Sequence, residues 1–190
     1  MLSFLASKRI KSLLISTVIS VLLAYSLDSV VAQTGSNIKA AFIEKFTHFI
    51  EWPDDALDSA EQSSFQICVV GDDPIINELH TLANLTKIKN RPVKVQKLQT
   101  LNTVADCALL YISRYSAYSV SSLVKQMQGK GILTIANSPG YTQQGVMLNF
   151  YEDNNQLRFE INHDAAKQSG FLISARLLKV ARIIRVGSRQ

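Results

Sequence analysis

The stretch FQICVVGDDPIINEL, residues 65–79, decides how the chain folds. Phe65 to Val70 is a short apolar run of the kind that forms a buried strand. Gly71-Asp72-Asp73-Pro74 then turns the chain, with proline placed where the first turn of a helix tolerates it. Ile75, Ile76, Leu79, Leu82 and Ala83 recur at helical spacing and give that helix a buried side. Strand, tight turn and helix make an α/β unit, and in many α/β proteins such a turn cradles a phosphate. A dinucleotide fingerprint needs several glycines so that the backbone can approach the pyrophosphate. Here Gly71 stands alone, and Asp72 and Asp73 put negative charge where the phosphate would sit. No G-x-x-x-x-G-K-[ST] motif occurs anywhere in the chain. The stretch reads as a turn glycine followed by acidic residues that favour a helix N-terminus.

Outward from this unit, the pattern stays α/β. Upstream, Asn37 can cap a helix through IKAAFIEKFTHFIEW, with Ile38, Ala41, Phe42, Phe46, Phe49 and Ile50 on one face and Pro53 as its stop. Residues 54–64 are polar and read as a loop. Downstream, Val93 to Leu98 alternates like a half-buried strand, and Ala108 to Ile112 is apolar throughout, as in a central strand. A helix over Tyr118 to Gln128, ended by Gly129, leads to a strand over Ile132 to Ala136. Val146–Tyr151 and Leu157–Ile161 flank Glu152-Asp153-Asn154-Asn155, a hairpin signal. Asn162 caps a short helix that Gly170 ends, and Ser174 caps a last one, ARLLKVARIIR. The expected fold is a single three-layer α/β domain: a mostly parallel sheet, an antiparallel hairpin at one edge, and helices on both faces.

The N-terminus carries Lys8, Arg9 and Lys11 ahead of the uncharged run LLISTVISVLLAYSL, residues 13–27. That run is short for a bilayer span, which needs ~20 apolar residues. Val30-Val31-Ala32 places small residues at −3 and −1 of a signal-peptidase site. Residues 1–32 are therefore expected to be a signal peptide cleaved after Ala32, with 33–190 as an exported domain. An uncleaved signal anchor is the competing reading. The segment holds three of the 20 basic residues and one of the 15 acidic ones, which leaves the remainder at +3. So mild an excess does not argue for nucleic acid as a partner.

Cys68 and Cys107 are the only cysteines. An even pair in an exported protein is the expected count for one disulfide. Two buried free thiols are the alternative, and metal binding comes third, because no histidines stand nearby to complete a tetrahedral site. In the expected sheet, Cys68 lies on one strand and Cys107 at the start of another, so a bridge between neighbours is geometrically reasonable.

Catalytic signals are weak. His48, His80 and His163 lie in separate segments, and G-x-S-x-G and H-E-x-x-H are both missing. Asp54-Asp55 and Glu152-Asp153 fall in predicted loops, where solvated turns explain them. No catalytic residue, metal site or cofactor is expected. A hydrolase with a site assembled from scattered residues is the disfavoured reading. Two features invite a partner. Trp52, the single tryptophan, closes an aromatic-rich helix and could anchor an interface, although core packing is its commoner use. On the last helix, Arg176, Lys179, Arg182 and Arg185 recur every three residues, a stripe that could face anionic lipid or an acidic partner as well as solvent.

Six segments taken together resemble one family: KFTHFIEWP (45–53), FQICVVGDDP (65–74), IKNRPVKVQKL (88–98), ADCALLYIS (105–113), GKGILTIANSPGYTQQGVMLNF (129–150) and LRFEINHDAAKQSGFLISARLLKVARII (157–184). In this order they resemble the YfiR family of periplasmic proteins, from about Lys39 to Ile184. The resemblance implies an exported α/β regulator that is not an enzyme. Its partner would be an inner-membrane diguanylate cyclase of the YfiN type, or another membrane signalling protein. By binding the cyclase's periplasmic sensor domain it would hold cyclic di-GMP low, with release under redox or envelope stress. Cys68 and Cys107 align with a disulfide of better-studied members. Those members carry a second cysteine pair in the segment matching residues 138–150, and this chain has none there. Trp52 with its helix and the basic face of Arg176, Lys179 and Arg182 are the expected contacts. A periplasmic small-molecule sensor acting on such a partner is the alternative function. The oligomeric state is left open, a homodimer being the common solution.

Overall fold

Phe65, Ile67 and Val69 point to one side of a central strand, while Cys68 and Val70 point to the other. A computed structural model of the protein describes residues 35–54, 56–57 and 63–185. The signal-peptide reading of residues 1–32, with its cleavage point after Ala32, lies outside the described residues. In chain order the elements are α1 (residues 35–49), β1 (Ile50–Glu51), β2 (Phe65–Val70), α2 (Ile75–Leu85), β3 (Lys87–Ile88), β4 (Arg91–Leu98), β5 (Leu109–Ile112) and α3 (Val120–Met127). They continue with β6 (Leu133–Ala136), β7 (Leu148–Asp153), β8 (Gln156–Asn162), α4 (His163–Gln168), β9 (Leu172–Ile173), α5 (Ala175–Val180) and β10 (Arg182–Ile184).

Eight strands form one sheet in the order β10-β8-β7-β6-β5-β2-β4-β3. The pairs β2·β4, β2·β5, β5·β6, β6·β7 and β8·β10 are parallel. β2 is buried on both faces, which is why its sequence is nearly continuous in apolar residues rather than alternating. The connection from β2 to β4 steps one way along the sheet and that from β5 to β6 steps the other way. Right-handed crossovers therefore put α2 and α3 on opposite faces. The cores agree: α1, α2, α4 and α5 pack with Phe65, Ile67 and Val69, whereas Val120, Leu123 and Met127 of α3 pack with Cys68 and Val70. The fold is the expected mixed α/β domain.

The hairpin signalled by EDNN is present, with Asp153 opposite Gln156 and a two-residue turn at Asn154 (φ +50°) and Asn155 (φ +59°). Positive φ at both turn residues matches the right-handed twist of the strands, and asparagine tolerates it. β10 pairs outside this hairpin and forms that edge of the sheet. A second hairpin of the same kind, β3–β4, turns at Lys89 (φ +50°) and Asn90 (φ +61°) at the other edge.

Both chain-end helices differ from expectation. α1 stops at residue 49, short of Trp52, because Ile50 and Glu51 pair antiparallel with Ile173 and Leu172. The last helix ends at Val180, where Ala181 is extended (φ −95°, ψ 153°), and residues 182–184 become β10. β-Branched Ile183 and Ile184 suit a strand and gain Ile161 and Asn162 as partners. The basic stripe over Arg176, Lys179, Arg182 and Arg185 is thus not one helical face. Arg176 and Lys179 are exposed on α5, and Arg182 lies in the sheet.

Candidate functional site

Three regions carry the polar chemistry of the described residues: the carboxyl ends of the central strands, the β8–β10 edge, and the cleft between α1 and α2. In open α/β sheets ligands bind outside the carboxyl ends of strands where the strand order reverses. In this sheet that point lies between β2 and β5. It is filled by the protein itself. A Cβ on Gly71 (φ +86°) would lie 2.7 Å from the backbone nitrogen of Ser116, so the loop after β5 occupies the space. The Ser113 hydroxyl donates to the Asp72 carbonyl at 2.6 Å. Asp73 accepts the Ile75 backbone N–H at 3.0 Å through Oδ1, and Asn137 Nδ2 at 3.2 Å and the Tyr111 hydroxyl at 3.4 Å through Oδ2. Burial, reinforced by the Asp73 carboxylate, drives the Tyr111 pKa far up, so its hydroxyl stays protonated. The start of α2 thus already holds an anion of its own, while just past the end of β6 Asn137 Oδ1 and the Ser138 hydroxyl are buried without a hydrogen-bond partner among the described residues.

At the opposite side of the sheet, Glu160 is buried on β8. Thr142 donates to it at 2.6 Å, Asn149 Nδ2 at 3.1 Å and Arg182 Nε at 3.0 Å, with a further contact from Arg182 Nη2. Burial acts to raise the Glu160 pKa, but the hydrogen bonds from Thr142, Arg182 and Asn149 outweigh it and hold the carboxyl below its ordinary value. The Arg182 guanidinium also lies 3.8 Å from the centre of the Tyr151 ring. Arg182 is therefore engaged in tying β10 to β8.

Trp52 is 9% exposed. Its ring packs edge-on to Phe65 at 5.4 Å and Phe171 at 5.7 Å, and its Nε1 donates to the Ala108 carbonyl at 3.0 Å. Lys89 caps it at 5.4 Å. The tryptophan locks the core and does not project as an anchor. Cys68 and Cys107 form a disulfide with Cα atoms 5.8 Å apart, buried on the α3 side of the sheet. His48 pairs with Glu44 one helical turn away, and His80 lies exposed on α2. Among the described residues no group of three or more histidine, cysteine or acidic side chains is arranged to hold a metal. No described helix is long and apolar enough to cross a membrane.

The third region was not visible in the sequence. Between α1 and α2 lies an open groove of about 440 Å³, with Ala40, Ala41, Leu82 and Leu85 as apolar walls and Glu44 and Glu78 among its lining. Leu85 is 81% exposed, the most exposed large apolar side chain among the described residues. Its sequence signal is slight: Leu85 is the one apolar residue of α2 outside the set Ile75, Ile76, Leu79, Leu82 and Ala83 that packs on the core.

The model of the YfiR/HmsC-like family matches residues 36–182. The chain belongs to this family. No curated protein matches the sequence.

Proposed function

We propose that this YfiR/HmsC-like protein is a periplasmic regulator that binds the periplasmic sensor domain of an inner-membrane diguanylate cyclase and lowers its output of cyclic di-GMP. The observation that carries the reading is the family match, which spans the α/β domain from residue 36 to residue 182. The β2–β5 strand ends support it, because Asp73, the Asp72 carbonyl, the Ser113 hydroxyl and the Asn137 amide nitrogen bind groups of the protein itself. The protein works by docking, without bond-making of its own. Its leverage equals the difference in its affinity for the inactive and active states of the cyclase. Tenfold repression needs ~1.4 kcal/mol of such difference. Of the contacts suggested by the sequence, Arg176 and Lys179 remain free to meet an acidic surface, being exposed on α5.

Deleting the gene is expected to raise cellular cyclic di-GMP, and the purified mature protein to retain a membrane cyclase from detergent-solubilised envelopes. Unchanged cyclic di-GMP together with no cyclase retained would sink the proposal. Mass spectrometry of the periplasmic protein is expected to show a chain beginning at Gln33.

A further inference from the structure

We infer that the groove between α1 and α2 is the seat for a basic amphipathic helix of the partner, one large apolar side chain entering between the helices and a Lys or Arg about one turn away meeting Glu44 and Glu78. The inference rests on the docking reading above and deepens it by assigning a surface.

Charge complementarity identifies the occupant. Among the described residues, Glu44 and Glu78 belong to the lining, and no Lys, Arg or His does. Both carboxylates are held in place from outside the groove or from its rim. Glu44 is paired with His48 at 2.6 Å and Lys45 at 3.0 Å. With its amide nitrogen turned towards Glu78, Asn37 donates to that carboxylate at 2.9 Å. Although burial acts to raise the Glu44 pKa, its partners His48 and Lys45 bring it below the ordinary carboxylate value, so the charge is present at neutral pH. Carboxylates fixed before binding spare the complex the ordering cost of mobile side chains.

The walls identify the rest. Leu85 and Leu82 come from α2 and Ala40 and Ala41 from α1. Small residues on one helix facing large ones on the other leave a trough between two helix ridges, the shape into which an amphipathic helix lays its apolar face. Leu85 is left uncovered at 81% exposure, at the C-terminal end of α2. Burying it on association would contribute, whereas folding alone does not bury it.

The test measures binding of the mature protein to the cyclase's purified periplasmic domain. Leu85→Asp and Glu78→Lys should each weaken binding about tenfold or more, as expected for central contacts. Both side chains lie at the groove and outside the sheet core, and circular dichroism checks that the variants fold. The wild-type complex should weaken with salt, and E78K should flatten that dependence. If wild type binds and both variants bind equally well, the groove is not the seat, although the regulator reading stands. If wild type does not bind, the regulator reading fails, and a second measurement decides the groove. In that measurement a 14-residue helical Leu/Lys peptide is titrated into the ¹⁵N-labelled protein. Shifts confined to residues around Ala40, Ala41, Leu82 and Leu85, and missing with a Leu/Glu peptide, support the assignment. Shifts elsewhere, or equal shifts with both peptides, overturn it. So does self-association of the wild type that L85D abolishes, which would give the groove to a second copy of this chain.

Discussion

Two pairs of neighbouring parallel strands are fastened in different ways. β2 and the lead-in to β5, at the centre of the sheet, are joined by the disulfide between Cys68 on β2 and Cys107 two residues ahead of β5, both residues buried. β8 and β10, at the edge, are joined by Arg182 directly opposite Glu160 in the register, with the carboxylate buried and the guanidinium side chain 52% exposed. The first link is indifferent to salt and moderate pH and answers only to reductant. The second answers to pH and to the loss of either charge. In the periplasmic setting proposed above, the protein meets changes of both kinds. The link that holds its centre is the one that an oxidising compartment preserves.

Breaking the central link should have the largest effect. The two cysteines are 39 positions apart, and closing a loop of that size contributes ~4 kcal/mol in the chain-entropy model. The double variant C68A/C107A should therefore melt roughly 8–16 °C below the wild type, given ~2–4 °C per kcal/mol for a domain of this size. Because both sulfurs are enclosed, the native protein should resist mild reductant and yield its thiols only on unfolding. A thiol probe that labels the folded protein within minutes of mild reduction would make the bond a switch and reverse this ranking.

The same contrast marks what was legible in the sequence. The central strands could be read because burial on both faces leaves an unmixed apolar run, as in Leu109–Ile112, where all four residues are buried. Cap residues Asn162 and Ser174 could be read because their side chains act on backbone N–H groups three residues on, at Ala165 and Leu177. The edge could not. The three-residue β10, like the separate two-stranded pair β1–β9, exists through its partner, and Arg182 looks like the next step of a helical stripe until Glu160 is placed across from it. For the partner contacts the same reason applies with more force. Trp52 was singled out by its rarity, but only the fold shows Phe65, Phe171 and the Ala108 carbonyl around it. The α1–α2 groove joins residues about forty positions apart, and no local pattern announces it.

Breaking the edge link should come next in size. Glu160→Ala leaves the buried Asn149 amide without its acceptor and unties Arg182, while the Thr142 hydroxyl can turn to Gln143 Oε1 at 3.0 Å. Leaving buried donors unsatisfied costs ~1–3 kcal/mol. Chemical denaturation should show a loss of ~2–3 kcal/mol, with hydrogen exchange quickening first in residues 182–184. Arg182→Ala should cost less, ~1–2 kcal/mol, because Thr142 and Asn149 still serve the carboxylate and the guanidinium is half solvated in the native state. If R182A proved worse than E160A, the charge of Arg182, and not the buried acceptor, would be the fastener.

The smallest effect is the pH dependence of that edge, and its sign follows from which state binds the proton more tightly. Glu160 has a folded-state pKa below its ordinary 4.5, so the unfolded chain takes up the proton first as pH falls. Its contribution is fully present above about pH 4.5 and fades as the pH drops through the lower folded value. Glu160→Gln removes the charge but keeps the shape. The stability gap between wild type and E160Q should be constant from pH 8 to pH 5 and should close below about pH 4.5. The disulfide cannot titrate, so the deficit of C68A/C107A should persist across the same range. Parallel acid titrations of the two variants therefore separate the two fasteners. An E160Q deficit that survives unchanged at low pH would mean that packing around residue 160, not its charge, holds β10 in place.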